Sequence, residues 1–152
     1  MAFMRNLHII FGDQLDHQAA VFNGFDASRD TVWMAEVDYE ATHVWSHKQR
    51  IVLFLSAMRH FRDELREKGI EVVYTELDAR KQADRFSNRL TIDLRRLSPE
   101  RVIVTQPGEW RVLQGLEKVC SAEAVPLEVR EDSHFYTTPK DFFEHAAGRK
   151  SV

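Results

Sequence analysis

The sequence predicts an α/β fold: a Rossmann-like, doubly wound sheet of about five parallel strands with helices on both faces. Two observations carry the prediction. Short β-rich runs at 7–11, 31–37, 70–75, 101–105 and 126–129 alternate with stretches whose apolar residues recur every three or four positions. The short runs are also nearly continuous in apolar residues instead of alternating with polar ones, which marks strands covered on both faces.

Residues 7–11 (LHIIF) stop at Gly12-Asp13, so they read as a buried strand ending in a turn. Residues 31–37 (TVWMAEV) form the second strand, expected to pair with the first across an irregular connection containing Gly24 and Asp26. From about 43 to 68, Val44, Ile51, Phe54, Leu55, Met58, Phe61 and Leu65 make one helical stripe, which Gly69 ends. The third strand follows at 70–75. A second helix then carries Phe86, Leu90, Leu94 and Leu97 on one face and stops at Ser98-Pro99. Residues 101–105 (RVIVT) are the fourth strand. Pro107-Gly108 turns the chain into a helix bearing Val112, Leu116, Val119 and Cys120, and 126–129 (PLEV) is the fifth strand. Residues 138–147 read as a short helix followed by a GRKSV tail. This divides the chain into an α/β domain over 1–135 and a short helix and tail over 136–152, with no repeat, low-complexity tract or interior linker.

Bulk properties narrow the function classes. A chain of 152 residues can bury roughly two thirds of its unfolded surface, so it needs no staples. A net charge of -3 disfavours a protein devoted to coating phosphate backbones. The single cysteine, Cys120, provides neither an internal disulfide nor a set of cluster ligands, and a reduced thiol in the cytoplasm is the expectation. No apolar run approaches the roughly 20 residues of a bilayer span, so no membrane partner is expected.

In open α/β sheets ligands sit beyond the carboxyl ends of the strands, where strand order reverses. That rule selects the loops at 12–15, 36–43 and 106–110. Gly12 permits close backbone approach, and Asp13 and Gln14 offer an acceptor and a mixed donor and acceptor; an ordinary turn is an equal reading. Glu36 and Glu40 could accept hydrogen bonds from a flavin-like ring or its hydroxyls, while Glu40 equally suits a helix start. Glu109 and Trp110 form an unusual string that a helix cap and a packing aromatic would also explain. Phe54 and Met58 read first as core residues and second as pocket walls. His60 is expected to be partly buried and Arg59 structural. His43 and His47 lack the motif and third ligand of a zinc site, no phosphate-gripping glycine loop is present, and no nucleophile with its base is evident, so no metal or catalytic residue is assigned.

The strings IIFGDQL at 9–15, AEV and EAT at 35–42, HKQRIVLFLSAMRHF at 47–61, TQPGEWRV at 105–112 and AAGRK at 146–150 together resemble the bacterial photolyase/cryptochrome family, in its iron–sulfur, deoxyribodipyrimidine photolyase-related branch. The similarity runs over essentially the whole chain. It implies an N-terminal antenna domain holding a lumazine pigment, 6,7-dimethyl-8-ribityllumazine, that passes excitation energy to FAD. The FAD and an iron–sulfur cluster would lie in a separate C-terminal domain, the expected partner, which repairs pyrimidine photoproducts as a lyase. The pigment pocket would involve Gly12, Asp13, Gln14, Leu15, Glu36, Val37, Glu40, Phe54, Met58 and Glu109. DNA would be met only through the full-length protein. Gln106 and His43 depart from the acid and aromatic common there. The alternative expectation is a chromophore-free protein-interaction module, and in either case an apolar surface beneath 130–147, left open by the absent domain, would favour association, including with a second copy.

Overall fold

The computed structural model describes residues 4–36, 48–77 and 85–148. Five strands, β1 (Asn6–Ile9), β2 (Asp30–Ala35), β3 (Val72–Thr75), β4 (Arg101–Thr105) and β5 (Leu127–Arg130), form one sheet in the order β3-β2-β1-β4-β5. All four pairings are parallel, with His8 opposite both Val32 and Ile103. The chain winds outward from β1 to β3, returns to the other side of β1 and continues to β5. The switch point therefore falls between β1 and β4.

Helix α1 (Lys48–Glu67) packs on one face, and α2 (Phe86–Leu97) and α3 (Trp110–Ala122) pack on the other. Alternation along β1 shows why both faces are covered. Leu7 and Ile9 face α2 and α3, where Leu90, Leu94, Leu116 and Val119 meet them; Ile10 faces α1, with Met58, Phe61 and Leu65. Each such Leu or Ile, fully withdrawn from water, stabilises the fold by about 1.5–3 kcal/mol. Met58, Phe61 and Leu65 of the expected first stripe are buried and Ile51, Phe54 and Leu55 partly so, while Val44 lies outside the described residues; Cys120 lies within the α3 seam. On the α1 face, the described residues that cover β4 belong to the 10–26 connection, whose 3-10 turn (Ala20–Phe22) is held by Val21 N–H donating to Thr105 Oγ1 at 3.0 Å.

The helix stops follow from backbone chemistry. Gly69 takes a positive φ of +76° beyond α1. Ser98 closes α2 in the left-handed region at φ 46°, its N–H donating to Leu94 O, and Pro99 follows. Helix α4 (Pro139–Ala146) is capped by Thr138, which accepts from Asp141 N–H while the Asp141 carboxylate accepts from Thr138 N–H. No α4 residue is buried. Phe135, Tyr136, Phe142 and Phe143 are all exposed. No helix among the described residues is long and apolar enough to cross a membrane.

Two local expectations fail. Trp110 does not fill a packing gap: it is 66% exposed, because as the first residue of α3 it points off the rim. His60 is exposed, since it lies on the side of α1 away from Met58 and Phe61.

Candidate functional site

The carboxyl ends of β1, β2 and β4 make the candidate site, and its parts are held by three distinct contacts. The first is steric. A Cβ built on Gly12 would run into the Phe54 ring and come within 2.9 Å of the Met58 sulfur, so any larger residue there would have to push these side chains of α1 aside. The structure brings Gly12, Phe54 and Met58 together, with Met58 buried and Phe54 partly so. Leu15 packs against the same cluster, and Asp13 is exposed beside it.

The second contact closes the switch point. The Gln14 side-chain amide donates to Thr105 O at 3.2 Å and to Gln106 O at 3.1 Å, tying the β1 loop to the end of β4. The same side chain's Oε1 is buried without a hydrogen-bond partner, as is Thr75 Oγ1 at the end of β3. Such groups cost roughly 1–3 kcal/mol unless something supplies the missing bond.

The third is a buried carboxylate. Glu36, its side chain fully inaccessible, accepts from Arg59 Nε at 2.7 Å, Arg59 Nη2 at 2.8 Å, the Tyr74 hydroxyl at 2.6 Å and Leu77 N–H at 2.8 Å. Burial acts to raise the Glu36 pKa, yet the bonds from Arg59, Tyr74 and Leu77 outweigh it and hold the carboxyl below its ordinary value. Burial and then the Glu36 acceptor push the Tyr74 hydroxyl upward. Glu36 is therefore ionised and joins β2, β3 and α1. Arg59, read as structural in the sequence, supplies half of those bonds.

Glu109 occupies the N-cap position of α3 but makes no side-chain capping bond, and it is exposed at the β4 turn. Val37, Glu40, His43 and His47 lie outside the described residues.

Two polar networks elsewhere escaped the sequence reading. Asp30, at the start of β2, accepts from Arg5, from Asn6 Nδ2 at 3.1 Å and from Asp26 N–H at 2.9 Å, and its Oδ2 lies 3.5 Å from His8 Nε2. Asp93 in α2 accepts from Trp33 Nε1 at 2.9 Å and from Arg89 and Arg96. The one available signal for the second was an acid on a helix side otherwise given to apolar residues, three positions after Leu90. Among the described residues no three His, Cys, Asp or Glu side chains are grouped to hold a metal.

A family model for deoxyribodipyrimidine photo-lyase-related proteins matches residues 8–152. A (6-4) photolyase of Agrobacterium fabrum (strain C58 / ATCC 33970) is 39% identical over 149 residues, covering 98% of this chain and 29% of that protein. The chain thus spans less than a third of the relative it matches. With the motifs, the parallel sheet and this match over nearly every residue in agreement, the chain belongs to the deoxyribodipyrimidine photo-lyase-related protein family.

Proposed function

We propose that this chain is a light-harvesting antenna domain that holds 6,7-dimethyl-8-ribityllumazine at the carboxyl ends of β1 and β2 and passes excitation energy to FAD in a C-terminal photolyase domain. The observation that carries the reading is the Gly12 approach to Phe54 and Met58, which sets an apolar wall at the end of β1, on the same loop whose Gln14 keeps a buried Oε1 without a hydrogen bond. A flat heterocycle with polar edges fits that combination, because the wall removes the ring from water and the few polar groups fix its orientation. The pigment would supply the near-ultraviolet transition. The protein's own part is to position it and exclude water, so no residue of this chain acts as acid, base or nucleophile. Asp13, Leu15, Val37, Glu40 and Glu109 complete the proposed lining, with Glu36 holding the ends of β2 and β3 in place beneath it.

Repair of pyrimidine photoproducts in DNA, and the flavin and iron–sulfur chemistry it needs, belong in this reading to the C-terminal partner. A second reading, a chromophore-free interaction module, draws on a different observation. Helix α4 carries its own cap and buries nothing, so Phe135, Tyr136, Phe142 and Phe143 are presented ready for association.

Fluorescence titration of the purified chain with the lumazine tests the first reading. Saturable binding weakened about tenfold by Glu40→Ala, the loss of one charge-assisted hydrogen bond, is expected. A folded protein that gives no saturable signal at any lumazine concentration would leave the interaction module standing instead.

A further inference from the structure

The α1 face of the sheet is unevenly covered, and the gap has chemistry of its own. Among the described residues a single long helix lies over β1–β3, whereas β4 is covered by the 10–26 connection. Beside that connection a recess of about 400 Å³ opens, with buried Ile103 at its base and Arg5, Asn6, Asn23, Glu100, Arg101 and Arg130 in its wall. Arg5, Asn6, Glu100 and Arg101 lie at or just before the amino ends of β1 and β4, the opposite end of the sheet from the Gly12 rim.

Three guanidiniums converge there, and each is fixed by contacts that leave part of its fork open. Arg5 gives Nε and Nη2 to buried Asp30. Arg130 gives Nε to Glu128 at 2.7 Å and Nη1 to the carbonyls of Ala20 and Asn23 at 2.9 and 2.7 Å. Arg101 gives Nη1 to Glu128 at 2.9 Å. The Nη1 of Arg5, the Nη2 of Arg130 and the Nε and Nη2 of Arg101 make no hydrogen bond to a described residue. Donors held in place from behind lose little freedom when a ligand arrives, and guanidinium forks suit oxygen anions.

We propose that this recess is an oxyanion site that takes a phosphate-type group, free or carried on a nucleotide. Donors from three separate side chains suit a tetrahedral anion with several oxygens better than a carboxylate, which fills one fork. The volume is at the lower end of ligand pockets and exceeds what a free phosphate needs, so a group attached to the phosphate has room. Asp30, Glu128 and Glu100 balance the three guanidiniums in charge. The attraction therefore rests on directional hydrogen bonds more than on net charge, and affinity should be modest.

The test is a ¹⁵N-resolved NMR titration of the full chain, following arginine Nε–H and backbone signals of the recess. The probes are inorganic phosphate, adenosine 5′-monophosphate and a short single-stranded DNA, with sodium chloride at matched ionic strength as reference. Saturable shifts at Arg101, Asn23 and Gly24 with phosphate, absent with chloride, are expected. Arg101→Gln, at a half-exposed residue outside the core, should weaken binding about tenfold, and Glu100→Gln should strengthen it severalfold by removing the opposing charge. Tighter binding of the nucleotide or of the DNA than of phosphate would identify the carrier. Equal response to chloride and phosphate, or affinity indifferent to both substitutions in folded variants, would overturn the proposal.

Discussion

Gly12 and His8 are neighbours in sequence whose constraints differ in kind. Gly12 is constrained by space: Gly12→Ala must displace Phe54 and Met58, and overpacking of this sort costs about 1–3 kcal/mol. Urea unfolding should show that loss, and lumazine affinity should fall with it if the rim holds the pigment. His8 is constrained by charge. Its Nδ1 lies 2.6 Å from Val21 O and its Nε2 is buried without a hydrogen bond, so the ring is held neutral. Burial lowers its pKa below the ordinary 6.5, against the opposing pull of the Val21 carbonyl and Asp30. The unfolded chain then binds the proton more readily than the folded one. The stability contributed by neutral His8 is fully present above pH 6.5 and is lost as pH falls through that value toward the lowered folded one. Denaturant midpoints measured across this window should fall less steeply in His8→Gln than in the parent; an unchanged slope would falsify the assignment. Nothing in the sequence distinguished His8 from its apolar neighbours in the first strand, because its partners, Val21 and Asp30, are 13 and 22 positions away.

The secondary elements were legible because strand and helix periods are local properties. All five strands form within a residue or two of the expected runs, and Gly69 and Ser98 end α1 and α2 as their neighbours suggested. What joins the elements was not legible. Glu36 was an evident candidate, but that its bonds come from Arg59, Tyr74 and Leu77 depends on how α1 and β3 dock, which no spacing in the chain encodes. Glu36→Ala should cost about 2–4 kcal/mol, since Tyr74 and Leu77 lose their acceptor while half-exposed Arg59 returns to water. Helix α4 should behave oppositely. Its cap is internal and its faces are unburied, so Thr138→Ala should remove about 1 kcal/mol from that helix alone. Hydrogen exchange would then accelerate within α4 while the global urea midpoint stays put.

Taken whole, the molecule is two apolar layers divided by one sheet, and the layer against α2 and α3 contains Cys120. Burial pushes that thiol up to about 11, and its side chain is nearly inaccessible, so it is shielded both electrostatically and sterically. Native protein should resist a thiol-specific reagent at neutral pH, and the labelling rate in rising urea should follow the loss of circular dichroism. Labelling well before the transition would mean that α3 opens separately from the sheet. The fold class was readable at this scale, whereas Trp110 and His60 were misjudged because an amphipathic pattern gives a helix's inner side more clearly than the fate of its first turn and outer side.

Trp33 has one more consequence. Its indole is buried in the sheet and fixed through Nε1 to Asp93, and it lies three positions before Glu36, roughly 10 Å along the strand from the candidate rim. A near-ultraviolet absorber settling at that rim would be within resonance-transfer range of a rigid, shielded emitter and would dim it without contact. Trp110, open to solvent at the same rim, would emit at longer wavelength and be dimmed as well, so the Trp33 signal is read in a protein with Trp45 and Trp110 replaced by Phe. The fold thereby carries its own optical gauge of occupancy, readable without a label.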